Sequence, residues 1–199
     1  MRIDPSSIST NMDTQPKTQD YSNKPKKLSN GRKLLAPIGV TYRIINQKTV
    51  MEAYLICLED YEDNNEESVI HIETFWLTEK ALWRVANMAV SLGWTQAFDC
   101  ENKEQMEKIF LKGEAFVGVI EVYERNGYEN AQIKYFNKAE RNSNGEVNFT
   151  DSHRKLISHG ETIFPKFVST RQSWGITFVN PIKNESVDFE QELEEDLPF

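Results

Sequence analysis

The chain has 199 residues, 39% of them hydrophobic and 27% charged, which fits one domain carrying polar tails. No apolar run approaches the roughly 20 residues of a membrane helix, and the N-terminus lacks the apolar stretch of a signal peptide, so a soluble, cytoplasmic chain is expected. The formal net charge of -8 is distributed in blocks: residues 185–199 hold seven acids and no base, residues 59–78 hold another seven, and residues 1–33 hold seven bases against three acids.

Residues 1–33 are rich in Ser, Asn, Gln, Lys and Thr and offer too little apolar surface to offset their conformational entropy, so they read as a disordered basic leader. Order is expected from Leu34. Val40 to Ile45 and Val50 to Leu58 are β-branched and aromatic runs joined by Asn46-Gln47-Lys48, and read as two strands. An acidic loop, Asp60 to Glu67, leads to a third strand over Val69 to Leu77. The period then changes: Thr78 is an expected N-cap, followed by Ala81, Leu82, Val85, Met88, Ala89 and Leu92 on one helical face, with Gly93 as the stop.

A second short helix is expected over Lys103 to Leu111, with Met106, Ile109 and Phe110 on one side and Gly113 as its stop. Alternation returns in Ala115 to Glu124, Asn126-Gly127 is a strong hairpin signal, and Ala131 to Phe136 forms the returning arm. Residues 137–152 read as a loop. Residues 153–180 are too apolar for a linker; they either pack onto the body or form a contact between copies of the chain, and both readings stand. Pro181 onward is an acidic, disordered tail. A mostly β fold follows: five strands with one or two helices between the third and fourth, the pattern of an OB-fold-like barrel over residues 34–180, with disordered tails at both ends.

The last dozen residues, Asp188 to Phe199, form an acidic run closed by Asp196, Leu197, Pro198 and Phe199. Such a segment can dock: acids are steered by a basic surface, a terminal ring fills an apolar pocket, and a carboxylate meets Arg or Lys. The tail resembles the C-terminal tip of bacterial single-stranded-DNA-binding proteins, which ends Ile-Pro-Phe or Leu-Pro-Phe. The body, in Phe75-Trp76-Leu77-Thr78, Leu82-Trp83-Arg84 and Gly118 to Tyr123, resembles phage OB-fold single-strand binders of replication and recombination clusters. The resemblance implies sequence-independent binding of single-stranded DNA in a bacterial host's cytoplasm. It also implies recruitment of host or phage replication and repair enzymes through the tip.

A single-strand binder needs aromatic faces for stacking and cations along the phosphates. With Ile120, Val122, Ala131, Ile133 and Tyr135 assigned to the interior by alternation, Tyr123, Arg125, Lys134, Phe136 and Lys138 fall outside, with Tyr42, Arg43 and Tyr54 as candidate neighbours. Trp76 and Trp83 are expected in the core. The alternative is an interaction or decoy protein that mimics the tip to hold host repair factors and binds no DNA; a strand-annealing factor is a third reading.

Catalysis has little support. Phosphate-cradling Gly motifs are absent, His71, His153 and His159 lack metal-ligand spacing, and Cys57 and Cys100 suit a reducing compartment. A non-enzymatic protein without cofactor or metal is expected.

Overall fold

The computed structural model describes residues 28–58, 70–110, 114–125 and 127–180. The expectations for the leader to residue 27, the acidic loop, Gly113, Asn126 and the tail with Asp196, Leu197, Pro198 and Phe199 lie outside the described residues. Eight elements follow in order: β1 (Gly31–Ile45), β2 (Lys48–Cys57), β3 (Ile70–Trp76), α1 (Leu82–Ser91), α2 (Lys103–Phe110), β4 (Phe116–Arg125), β5 (Tyr128–Lys138) and α3 (Asp151–Ser173).

The strands form one antiparallel sheet in the order β3-β2-β1-β4-β5. β1 is the hinge of the arrangement. Its first residues pair with β4, from Gly31↔Ile120 to Leu35↔Phe116, and its length from Leu35 to Ile45 pairs with β2. Order therefore starts before Leu34: Leu28 is in the core and Arg32 and Lys33 belong to β1, because β4 needs that segment as its ladder partner. The β1–β2 turn is tight, with Asn46 and Gln47 both at positive φ (49° and 61°), the left-handed pair that a two-residue hairpin requires.

Two irregularities set which side chains face where. Pro37 pairs with Leu55 and Gly39 with Tyr54, leaving Ile38 as an extra residue on β1. Val119 pairs with Tyr135 and Ile120 with Ile133, leaving Lys134 as an extra residue on β5. Each is a bulge, and each reverses the alternation downstream of it.

The inner face of the sheet carries Leu35, Val40, Tyr42, Met51, Leu55, Phe75, Phe116, Ile120 and Ile133, and is closed over by Val85, Met88, Ala89 and Leu92 of α1 and Met106, Ile109 and Phe110 of α2. Gly93 takes φ 88° and ends α1, as expected. The helix starts later than expected, at Leu82: the Thr78 carbonyl accepts from the N–H groups of Ala81 and Leu82, so Thr78 opens a turn and does not cap α1.

The sheet is not closed into a barrel among the described residues; no ladder joins β3 to β5. Side chains span the gap instead. Glu73 of β3 accepts the Ile133 N–H of β5 at 3.3 Å, His71 lies 3.0 Å away, and Arg84 of α1 reaches both Glu73 (2.6 Å) and the Ile133 carbonyl (2.9 Å).

Residues 151–173 form α3, which takes the last two residues read as loop and most of the stretch 153–180 left between two readings, and its apolar stripe packs on the outer face of β1 and β2. Thr150 caps it, accepting from the His153 N–H at 3.2 Å, and Leu156, Ile157, Phe164, Phe167 and Val168 meet Ile38, Tyr54 and Ile56. The fit is close: a Cβ on Gly39 would fall 2.2 Å from the Phe164 ring. Near its end Arg171 grips the buried Glu52 (2.5 and 3.2 Å), which Arg43 holds from the other side at 2.6 Å. After α3 the Val179 N–H bonds the Tyr42 carbonyl and lines the stretch of β1 that β4 leaves unpaired. No helix among the described residues is long and apolar enough to cross a membrane.

Candidate nucleic-acid interface

Because α3 covers β1 and β2 from outside, and α1 meets β4 and β5 from the core side, the outer face of the β4–β5 hairpin is left open. Directly opposed residues of an antiparallel pair share a face, so the register reads out what this surface displays. One row holds Arg32, Val119 and Tyr135, drawn from β1, β4 and β5. The next holds Glu121 and Gln132 with Lys134 from the bulge; then come Tyr123 with Asn130, and Arg125 with Tyr128 beside Gly127, whose φ is 74°. Rows two residues apart are separated by about 6.6 Å from the strand rise, so the set extends about 20 Å along the hairpin.

Three tyrosine rings are available on this face: Tyr123 is 38% exposed, Tyr135 58% and Tyr128 73%. Three cations, Arg32, Lys134 and Arg125, are interleaved with them, against one carboxylate, Glu121. Glu121 accepts from Gln132 Nε2 (3.0 Å) and Lys134 Nζ (3.2 Å). Those two hydrogen bonds and the Lys134 charge hold the Glu121 carboxyl below its ordinary range.

Of the residues expected to line a binding surface, the structure brings Tyr123, Arg125 and Lys134 together here. It places the others elsewhere. Tyr42 is 1% exposed, its hydroxyl donating to the Cys100 carbonyl at 3.0 Å, and burial together with nearby negative charge raises its pKa. Tyr54 is enclosed by Phe164 and Phe167, with ring centroids at 4.9 and 6.0 Å, and its hydroxyl receives Thr41 and Arg171. Neither ring has a face left for a base. Arg43 is committed to Glu52.

The bulge at Lys134 decides the rest. It turns Phe136 inward, where its ring lies 5.6 Å from Phe116 and 6.0 Å from Phe75, and turns Tyr135 outward, the reverse of the expected assignment. Lys138, opposite Phe116, is exposed at the far end of the strand on the other side of the sheet. Strict alternation thus missed Tyr135, and Tyr128 and Arg32 were missed as well. The Tyr128 signal was its place directly after Asn126-Gly127, where a strand resumes; Arg32 was hidden by its assignment to the leader.

Trp76 and Trp83, expected inside, are 38% and 54% exposed; the Arg84 guanidinium lies 5.9 Å from the Trp83 ring. The chain matches no protein-family model and no curated protein sequence.

Proposed function

We propose that the protein binds single-stranded DNA without sequence preference, on the outer face of the β4–β5 hairpin. The observation that carries this reading is the interleaving of Tyr135, Tyr123 and Tyr128 with Arg32, Lys134 and Arg125 on one uncovered surface. Every base has a π-face, so ring stacking is tolerant of sequence and contributes about 1–3 kcal/mol per base, while the cations screen the phosphates.

The body is read as an open variant of the OB-fold. What supports this is the strand order β3-β2-β1-β4-β5, with helices between β3 and β4 and Glu73 with Arg84 occupying the seam where β3 and β5 would pair. The strands 2–3 side of an OB-fold commonly carries the ligand; here α3 lies on β2, which moves the available surface to β4 and β5.

The role is binding and recruitment, not catalysis, and needs no cofactor. Asp196, Leu197, Pro198 and Phe199 recruit replication, recombination and repair enzymes, in the cytoplasm of a bacterial cell hosting the phage that encodes the chain. Fluorescence anisotropy of labelled oligo-dT tests the reading. Binding that weakens steeply with salt, with little affinity for duplex, is expected. No binding at low salt overturns it and leaves the tip as the whole activity, the decoy reading.

A further inference from the structure

Glu121 stands out on the proposed surface as the only carboxylate among the described outward-facing residues of β4 and β5. Its two oxygens each receive one donor, Lys134 Nζ on Oε1 and Gln132 Nε2 on Oε2. That is the pattern in which two non-bridging oxygens of a phosphodiester would be held. Resting on the single-strand reading above, we propose that Glu121 is an internal stand-in for a strand phosphate. It occupies Lys134 and Gln132 until a phosphodiester displaces it, and so sets the affinity threshold of the platform.

Both members of the pair are close to half exposed (48% for Lys134 and 44% for Glu121), so the pair adds little to stability and opens easily. What it does change is the charge available to a ligand. Seated on Lys134, the carboxylate lowers the net charge of the face from three positive to two. A polyanion spanning the rows gains Arg32 and Arg125 together with Lys134 and displaces one weak pair. A mononucleotide meets the same displacement with fewer cations to offset it. Glu121 therefore weakens both by a similar factor, and only ligands that also engage Arg32 and Arg125 stay above the threshold.

The test compares oligo-dT and dTMP binding by the full-length protein and by Glu121→Gln, with Glu124→Gln as the control. Glu124 is on the same strand but on its opposite side, where alternation places it next to Tyr123. Glu121→Gln is expected to tighten oligo-dT binding about two- to fivefold at low salt, the range for an exposed pair. It should leave the log–log salt dependence nearly unchanged, because the same phosphates are contacted with and without Glu121. The Lys134→Ala loss should be larger in the Glu121→Gln background, and dTMP, which meets the same displacement, should gain by a factor similar to that of oligo-dT.

Equal behaviour of Glu121→Gln and Glu124→Gln, or weaker binding by Glu121→Gln, overturns the stand-in role while leaving the single-strand reading intact. Absence of binding by all three proteins overturns both.

Discussion

Truncating Phe136 and truncating its neighbour Tyr135 should have opposite consequences. Phe136 packs between Phe75 and Phe116 and lies 5.5 Å from the Arg84 guanidinium that joins β3 to β5. Phe→Ala in a core costs about 3–5 kcal/mol, and half-buried Phe136 belongs at the lower end, about 3 kcal/mol. At about 2–4 °C per kcal/mol for a chain of this size, the melting temperature should fall by about 6–12 °C. Tyr135 is 58% exposed, so its truncation should leave stability within about 0.5 kcal/mol. Loss of one stacking platform, about 1–3 kcal/mol, corresponds to about a 5- to 150-fold loss of oligo-dT affinity. Thermal unfolding by circular dichroism and oligo-dT titration on the same two variants separate the effects. A Tyr135→Ala protein that melts early, beside a Phe136→Ala protein that does not, would refute the face reversal at Lys134.

Gly39→Ala should strain the α3 contact, because the added methyl falls 2.2 Å from the Phe164 ring; a loss of about 1–3 kcal/mol in urea unfolding is expected, partly relieved in a Gly39→Ala/Phe164→Ala double variant. Additive losses would show that the two do not touch. Burial raises the pKa of both Tyr42 and Tyr54. The folded chain therefore keeps protons that the unfolded chain releases near pH 10, and stability should fall above that pH by about 1.4 kcal/mol per pH unit for Tyr42, with Tyr54 contributing in the same direction. Tyr42→Phe should reduce that slope by one group's share, as read from urea midpoints between pH 9 and 11; an unchanged slope would contradict its burial.

The elements most legible in the sequence were those with local signals. Asn126-Gly127 announced the β4–β5 hairpin, Gly93 the end of α1, and Met106, Ile109 and Phe110 the buried side of α2. α3 was hidden by Pro165 inside it, a residue that usually ends a helix, although Thr150 and the spacing of Leu156, Ile157, Gly160, Phe164 and Phe167 follow a helical period. That single omission accounts for Tyr54: without a helix over β1 and β2, an alternating strand leaves that ring exposed. The Lys134 bulge had no signal except that Ile133 and Phe136, both apolar, are an odd number of residues apart. A period of two cannot place both inside unless the strand gains a residue between them.

Photocrosslinking of oligo-dT to the full-length protein, followed by peptide mapping, asks directly where the strand lies. The account predicts adducts within residues 119–135, at Tyr123, Tyr128 and Tyr135, competed by unlabelled single strand and lost with rising salt. Adducts confined to Trp76 or Trp174, with none on the β4–β5 hairpin, would contradict it.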